Sequence, residues 1–397
     1  MKIYTSKKDI ASEKAIVADD MMLTADMPTA AGSKMLDGYM SLFEAEALTR
    51  TKSAGYDLVG KTDVGEFAID IVGETSCNGA KVKDGVLLNP TAEALKSGEI
   101  KAAICLDVNG APRRAAAQNE LVSVKPTYGV VSRYGTIPVA CSGECVSVMA
   151  RNSRDCKELL DVIVGHDDKD GTSLSEELCQ SVKKCQELRR VAVLGSMEKG
   201  IDKSVEAKLC QFKATLRTNG VEVVEIEDGI IAASRPAWNV LMSAELCNNV
   251  SRYDGVKYGY RAQNFSGIDE LYTNSRTEAF GELLKKAILF GSDTLSTENY
   301  MKVYDKALRV RRVIVERFDE ILKDFDAVLM PACSVMEYTE DMVKENKSLS
   351  FEENFYTAPA SISGLPAVVV GGVQLVGRVF SEGTLLGAAE LYEKEGR

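Results

Sequence analysis

The chain has 397 residues, of which 45% are hydrophobic and 27% charged. This balance is typical of a globular protein with one large core or two domains. The formal net charge is −11 at pH 7, and acidic and basic residues are interspersed along the whole chain. Direct capture of nucleic acid by a basic stripe is therefore disfavoured, whereas an RNA contact through a more basic partner stays open.

The sequence predicts a cytoplasmic protein without a membrane segment. Residues 1–13 contain no signal-peptide core, and no later run approaches the roughly 18 apolar residues of a membrane span. Ten cysteines are scattered from Cys77 to Cys333 without a CxxC pair, so we expect free thiols, most of them buried. The single histidine, His166, lies in a polar turn, so neither histidine-dependent catalysis nor a zinc site is expected. We expect no metal and no cofactor.

Helical and strand periodicities alternate along the chain, as they do in α/β proteins. Residues Leu42–Ala54 favour a helix, Gly55 can end it in the left-handed conformation, and Tyr56–Gly60 is typical of a short buried strand. The later predicted elements are a helix ending over Leu159–Val164, a strand at Val191–Leu194, a helix with Val205, Leu209, Phe212 and Leu216 on one face, a strand at Val221–Ile226, a helix over Asn299–Lys323, a strand at Ala327–Met330 stopped by Pro331, and strands at Ala367–Val370 and Val373–Val376 around Gly371 and Gly372.

The helix over Asn299–Lys323 is the longest one predicted. Its core face is expected to contain Tyr300, Tyr304, Leu308, Ile314, Phe318 and Leu322. The chain contains no repeat, low-complexity tract or long linker. One compact α/β domain around a mixed sheet is therefore favoured over two separable domains.

The run Lys125–Gly135 (KPTYGVVSRYG) resembles the KPTYGxVSRYG segment of the amidase-signature family, and within it the A subunits of glutamyl-tRNA(Gln)/aspartyl-tRNA(Asn) amidotransferases. Shorter matches follow in order between Lys14 and Tyr392, and they comprise Ser33–Leu36, Gly60–Thr62, Glu66–Ala68, Gly165–Asp167, Ala244–Glu245, Arg252–Arg261 and Gly364–Ala367. The resemblance implies a single amidase-signature domain over residues 1–397, with a mixed β-sheet flanked by helices on both faces. The family's N-terminal helices have no counterpart here, so we expect a domain truncated at its N-terminus.

Members of this family hydrolyse amides with a nucleophilic serine, a relay serine on a glycine-rich loop, and a lysine that acts as base. A hydroxyl group needs such a relay to a deprotonated amine because its own pKa lies far above neutrality. By alignment, the lysine position holds Asp19 and the nucleophile position holds Ala111. The relay-serine loop is predicted to be excised between residues 90 and 91, because Asn89-Pro90 runs directly into Thr91-Ala92-Glu93-Ala94.

Parts of the same pocket are retained and parts of the substrate site are changed. The resemblance places Asp107, Gly110 and Arg113 at retained positions of the loop that presents the nucleophile. The resemblance implies that the arginine that binds the α-carboxylate of glutamine is replaced within Lys285–Ile288, by Ala287 or by a lysine. The acidic residue that meets the α-amino group is replaced at Asn354.

Three hypotheses follow from this pattern. The first is a pseudoenzyme that serves as a non-hydrolytic scaffold or binding subunit, with B- and C-like amidotransferase subunits as partners and tRNA contacted only indirectly. The second is an enzyme with a rebuilt site, in which a thiol such as Cys105 attacks the amide. The third is a working amidotransferase subunit supplied with free ammonia or by another glutaminase.

Three features that resemble functional sites are expected to have structural roles instead. Cys105 is flanked by apolar residues and is typical of a buried strand. The tyrosines and basic residues of Arg252–Arg261 resemble an RNA-stacking surface, but packing within the fold explains them better. Lys61 is expected to be a structural lysine near a strand end.

Overall fold

The computed structural model describes residues 2–395, so Met1 and residues 396–397 of the predicted domain lie outside the described part. The strands are β1 (Tyr4–Lys7), β2 (Ala15–Asp19), β3 (Asp57–Thr62), β4 (Val82–Lys83), β5 (Val86–Leu87), β6 (Ala102–Asp107), β7 (Val122–Lys125), β8 (Cys145–Ala150), β9 (Arg190–Leu194), β10 (Glu222–Ile226), β11 (Ala327–Pro331), β12 (Ala367–Val370) and β13 (Val373–Gly377). The α-helices are α1 (Glu46–Ser53), α2 (Pro90–Lys96), α3 (Ala111–Gln118), α4 (Ser153–Ile163), α5 (Glu176–Gln180), α6 (Lys203–Thr218), α7 (Ser234–Val250), α8 (Ile268–Ala279), α9 (Glu282–Thr294), α10 (Asp305–Asp324), α11 (Glu340–Glu345), α12 (Leu349–Ser363) and α13 (Glu382–Glu395).

Eleven strands form one mixed sheet in the order β1-β3-β2-β6-β8-β7-β12-β13-β11-β9-β10. Strand β2 runs parallel to both β3 and β6, and β9 runs parallel to both β10 and β11, whereas the other pairings are antiparallel. The first six strands of this order come from the N-terminal part of the chain and the last five from the C-terminal part. The two parts meet where β7 pairs with β12.

Both faces of the sheet are buried, as the predicted helix–sheet–helix layering requires. In β2, Ile16 and Ala18 belong to one apolar core, and Ala15 and Val17 belong to a second core on the opposite face. Side chains alternate between the faces of a strand, so this division means that each face is covered. The expected α/β fold with a mixed sheet and helices on both faces is confirmed.

Most predicted elements are present close to their expected bounds, but α1 starts later than predicted. Residues 42–45 are not helical, and the Leu42 side chain is 98% exposed. Downstream, α6 buries the predicted face, and β12 and β13 form a hairpin in which Gly371 and Gly372 have φ values of +56° and +84°. Such positive φ values favour glycine, which explains the pair at this turn.

The prediction for the long helix over Asn299–Lys323 is wrong at its start. Tyr300–Tyr304 forms a π-helical turn, and α10 begins at Asp305. The wider turn changes the register, so Tyr300 is 43% exposed and Leu308 is 39% exposed instead of facing the core. The later residues Ile314, Phe318 and Leu322 are buried as expected.

The prediction that most cysteines are buried is also wrong. All ten are free thiols, but only half are buried, and these are Cys105, Cys145, Cys156, Cys179 and Cys333. Within residues 2–395, no helix is both long and apolar enough to cross a bilayer.

Candidate functional site

A small cavity lies at the carboxyl ends of β2 and β6, which are neighbours and run parallel. Loops that follow parallel strands meet at the same edge of a sheet, so this edge is a common place for a functional site. The cavity has a volume of about 20 Å³, enough for about one water molecule. Its lining residues are Asp19, Asp63, Val64, Ala68, Asn89, Thr91, Cys105, Leu106, Ala111, Pro112 and Met149.

The structure therefore brings Asp19 and Ala111 to the same cavity, although they are far apart in the sequence. Asp19 ends β2, and its carboxylate accepts hydrogen bonds from the backbone N–H groups of Leu106 (2.7 Å) and Met21 (3.2 Å). Burial raises the pKa of Asp19 to about 7, against the opposing effect of these two donors. An acid that is half protonated near neutrality occupies the place where the resemblance expects an amine.

Ala111 is the first residue of α3 and follows Gly110, whose φ is +87°. A Cβ atom on Gly110 would lie 2.4 Å from the Cβ of Thr357, so both the backbone conformation and the close approach of α12 require glycine here. The methyl group of Ala111 offers no nucleophile.

Behind this loop, Asp107 and Arg113 form a fully buried bidentate ion pair. The Nε of Arg113 lies 2.7 Å from Oδ2 of Asp107, and its second nitrogen lies 3.0 Å from Oδ1. Arg113 also donates to the backbone oxygen of Thr357 (2.9 Å), to Oε1 of Gln374 (2.8 Å) and to Oγ of Ser361 (2.9 Å). All five guanidinium donors are thus used, and loss of one partner of such a pair costs about 3–5 kcal/mol of stability. The predicted residues Asp107, Gly110 and Arg113 lie together, as a support for the loop.

A second buried arginine, which no motif in the sequence indicated, holds the same loop from the other side. Arg114 donates to the backbone oxygens of Asn109 (2.8 Å), Ile71 (3.1 Å) and Asp70 (3.0 Å). Thr357 also donates to the Asn109 oxygen (2.8 Å). The sequence does contain a signal for this role, because Arg113 and Arg114 are adjacent in an alanine-rich helix. Arginine is rarely buried unless it is paired, so two arginines among apolar residues indicate buried polar partners.

The predicted site of loop excision lies at the start of α2. Asn89 caps this helix by accepting a hydrogen bond from the N–H of Ala92 (2.9 Å), and Pro90 occupies its first turn. The hydroxyl groups of Thr91 and Thr62 lie 2.6 Å apart. The chain thus enters the helix directly, and no serine lines the cavity in the described residues 2–395.

Cys105 also lines the cavity, and its surroundings disfavour a thiolate. The side chain is buried in the centre of the sheet, and burial raises the thiol pKa well above its usual value, with further increases from Asp19 and Asp107. A nucleophilic cysteine needs the opposite electrostatic setting, with a nearby cation.

Lys61 of β3 pairs with Ala18, the residue before Asp19 on β2, but it does not line the cavity. Its ammonium group is fully buried and hydrogen-bonds to Asp20 (2.7 Å), Thr29 (2.6 Å) and the backbone oxygen of Pro28 (2.9 Å). Burial lowers the pKa of Lys61, and the carboxylate of Asp20 opposes this shift. Because all three N–H donors have acceptors, the geometry favours a structural ammonium group over a free base.

The two positions predicted for substrate binding lie outside the cavity. Ala287 is fully buried in α9. Asn354 is fully buried in α12, where its side-chain amide hydrogen-bonds to that of Asn239 at 2.7 Å.

The remaining features that looked functional have local partners. The ring of His166 is 41% exposed and bonds to Asp168 (3.0 Å) and to the backbone oxygen of Leu174 (2.9 Å). In the segment Arg252–Arg261, Tyr253 is buried and stacks on Phe67. Within residues 2–395, no group of three or more His, Cys, Asp or Glu residues has a geometry suited to a metal ion.

An α/β fold with a clamped glycine loop at the edge of a mixed sheet is the architecture that the sequence resemblance implied. The family model described as Amidase matches residues 16–386, nearly the whole chain. The chain therefore belongs to the amidase family.

Similar proteins within the family are the A subunits of glutamyl-tRNA(Gln) amidotransferases. The chain is 32% identical to the A subunit from Lachnoclostridium phytofermentans, with 96% of this chain and 82% of that protein covered. It is 34% identical to the A subunit from Acinetobacter baumannii, over 94% and 81%. The crystal structure of the A subunit from Thermotoga maritima superposes with a TM-score of 0.82 at 26% identity, over 99% of this chain and 87% of that one.

Proposed function

We propose that this protein is a non-hydrolytic subunit of an amidotransferase-like assembly in the cytoplasm. The observation that carries the proposal is the cavity shared by Asp19 and Ala111, because neither a serine hydroxyl nor a lysine amine from residues 2–395 lines it. Amide hydrolysis by a serine needs a nucleophile, a proton relay and a base in contact. The cavity volume of about 20 Å³ also leaves no room for an amide substrate beside the loop.

The scaffold around this cavity supports a retained structural role. The ion pair of Asp107 and Arg113 and the contacts of Arg114 keep the loop rigid without serving any group that could attack a substrate. The relatives named above are A subunits, so we propose B- and C-like subunits as the partners, which would contact tRNA in place of this chain. Its net charge of −11 agrees with an indirect contact.

A glutaminase and broad amide-hydrolysis assay tests the loss of catalysis. We expect no turnover from the purified wild type or from Cys105→Ala, with a relative that retains both serines and the lysine as the positive control. Turnover by the wild type that Cys105→Ala abolishes would overturn the proposal in favour of the rebuilt enzyme.

The assembly is tested by co-purification of the tagged chain from its native cell, followed by mass spectrometry. We expect B- and C-like subunits to be recovered in stoichiometric amounts. Recovery of the isolated monomer would contradict a role in a complex.

The ammonia-dependent alternative rests on the intact fold and is tested separately. Glutamyl-tRNA, ammonium and the B and C partners are incubated with and without this chain. Amidated tRNA that appears only when the chain is present would replace the proposed scaffold with a working amidotransferase component.

A further inference from the structure

A lysine and a cysteine are buried in contact where β7 ends and β8 begins. The Nζ of Lys125 lies 3.6 Å from the Sγ of Cys145, and it also donates a hydrogen bond to the backbone oxygen of Pro126 (3.0 Å). Lys125 is fully buried, and Cys145 is 4% exposed. Neither residue lines the cavity at Asp19 and Ala111, so the pair is separate from the candidate site.

The antiparallel pairing of β7 and β8 explains this contact. Val124 lies opposite Val148, and the same register continued by one residue places Lys125 opposite Ser147. Cys145 is two residues from Ser147, so it is the diagonal neighbour of Lys125 on the same face of the sheet. A long side chain reaches such a neighbour.

This contact distinguishes Cys145 from the other buried cysteines. Of the five buried cysteines in residues 2–395, only Cys145 has a lysine nitrogen within hydrogen-bonding distance of its sulfur. Its own S–H group donates to the backbone oxygen of Gly143 (3.8 Å), which leaves the sulfur lone pairs to accept from the ammonium group. The sulfur of Cys156, by comparison, contacts the backbone oxygens of Val122 (3.2 Å) and Val148 (3.8 Å).

The charges around Cys145 also differ from those around Cys105. Burial raises the pKa of the Cys145 thiol and Asp107 adds to this rise, whereas the charges of Lys125 and Arg133 oppose it. Cys105 has no such opposing cation. A cation beside a thiol favours the thiolate, which is the form that attacks peroxides.

The buried ammonium group of Lys125 would lose its charge in a bond to this sulfur. Its two hydrogen-bond acceptors, Pro126 and Cys145, are both uncharged, and it forms no ion pair within residues 2–395. An unpaired charge in a protein interior is costly. A neutral bond between nitrogen and sulfur removes this charge, so burial favours the bonded product over the separate ammonium and thiol groups.

We propose that Lys125 and Cys145 form a reversible sulfenamide crosslink when the protein meets hydrogen peroxide. In the first step the sulfur attacks the peroxide, the O–O bond breaks, the thiol is oxidised to a sulfenic acid, and one water molecule leaves. In the second step the Nζ, after releasing one proton to solvent, attacks the sulfur, the S–O bond breaks, and a second water molecule leaves. The product has one S–N bond and lacks two hydrogen atoms relative to the thiol and the amine.

Burial of the pair also decides which oxidant reacts and where the reaction stops. A sulfur of a residue that is 4% exposed gives no access to a bulky disulfide, whereas hydrogen peroxide is nearly as small as water. Further oxidation to a sulfinic acid would add a charged group to the interior. The neighbouring nitrogen is already in contact with the sulfur, so it captures the sulfenic acid first.

Peptide mapping of the full chain after treatment with hydrogen peroxide tests the proposal. Trypsin does not cut before proline, so Lys125 falls within peptide 115–133 and Cys145 falls within peptide 134–151. We expect mass spectrometry to detect these two peptides joined, with a combined mass lower by two hydrogen atoms, and fragment spectra to place the bond at Lys125 and Cys145. Dithiothreitol should separate the peptides, because two thiols reduce the S–N bond to a thiol and an amine and form one disulfide.

Two cysteine variants assign the crosslink. Cys145→Ala should abolish the joined peptides. Cys141→Ala is the matched control, because Cys141 lies in the same peptide and a disulfide between the two cysteines would cause the same loss of mass without joining the peptides. This control should leave the yield of joined peptides unchanged, and unchanged melting temperatures check that both variants fold.

The proposal is overturned by any one of three results. These are two separate peptides after peroxide treatment of the wild type, oxidation of Cys145 only to a sulfinic acid, and loss of the joined peptides in Cys141→Ala. The wild-type digest decides the first two results without any variant. None of the three bears on amide hydrolysis or on assembly with other subunits, so the proposed function is tested independently.

Discussion

At the scale of single residues, the site is defined by what the ionisable side chains contact. Asp19 occupies a position where an amine is expected in the family, yet its carboxylate is held by two backbone N–H groups rather than by a cation. Lys61, on the neighbouring strand β3, pairs with Asp20 instead. The pKa of Asp19 is raised because the carboxylate is buried and has no direct cationic partner. The two backbone donors oppose this shift without cancelling it.

The raised pKa of Asp19 predicts a pH dependence of stability. The pKa rises from 3.8 in a free side chain to about 7 in the fold, so the folded state holds a proton that the unfolded chain has released. The contribution of this group to stability is therefore complete below about pH 4 and is lost as the pH rises to about 7. The Asp19→Asn variant cannot ionise at this position. As the pH rises across this window, we therefore expect its free energy of unfolding to increase relative to that of the wild type, by on the order of 4 kcal/mol.

Urea unfolding at a series of pH values measures this difference. Asp341→Asn, at a side chain that is 83% exposed, controls for the loss of a surface charge. A constant difference between Asp19→Asn and the wild type from about pH 4 to about pH 7 would show that the carboxylate is not perturbed in the fold.

At the scale of elements, the loop before α3 depends on the helix packed over it. Thr357 of α12 contacts Gly110 and donates to the backbone of Asn109, and Arg113 of α3 donates back to the Thr357 backbone. The loop and the two helices therefore form one rigid unit. This packing gives Gly110, Asp107 and Arg113 a structural role that does not depend on catalysis.

The close approach at Gly110 predicts a packing cost that can be separated from backbone strain. Gly110→Ala introduces both a residue at φ +87° and a Cβ atom 2.4 Å from Thr357, so we expect a loss of about 3 kcal/mol in the free energy of unfolding. Gly220→Ala has a similar φ of +79° but nothing within 4 Å of the added Cβ, so about 1 kcal/mol is expected. Denaturant unfolding of the two variants gives the comparison, and equal losses would contradict a packing role for Gly110.

At the scale of the whole molecule, two sequence-contiguous halves share one sheet. Strand β7 of the first half pairs with β12 of the second, and Arg113 of the first half bonds to Thr357, Ser361 and Gln374 of the second. One apolar core also contains residues of both halves, from Ile16 to Tyr392. These contacts support the proposal of a single domain.

A single domain predicts a single unfolding transition. We expect scanning calorimetry to give one transition with equal calorimetric and van't Hoff enthalpies, because breaking the β7–β12 junction exposes the shared core and separates the buried Arg113 from its acceptors in the second half. Limited proteolysis should correspondingly release no stable half. Two resolved transitions, or a protected fragment that ends between β8 and β9, would mean that the halves are separate domains.

The local parts of this protein are determined by its sequence. Periodicity places β3, α6, β9, β12 and β13, because each element is specified by the spacing of apolar residues over one short segment. The failure at Tyr300 has a local cause as well, since a π-helical turn changes the spacing that the pattern assumes. The alignment of Asp19 and Ala111 with the family motifs also follows from the sequence alone.

Only the tertiary structure decided how these parts meet. Strand order brings Asp19 and Ala111 to one cavity and fixes its volume at about 20 Å³, and the crossing of α12 brings Thr357 against Gly110. A periodic pattern states which face of an element is buried, whereas these contacts join residues far apart in the chain and depend on how complete elements pack.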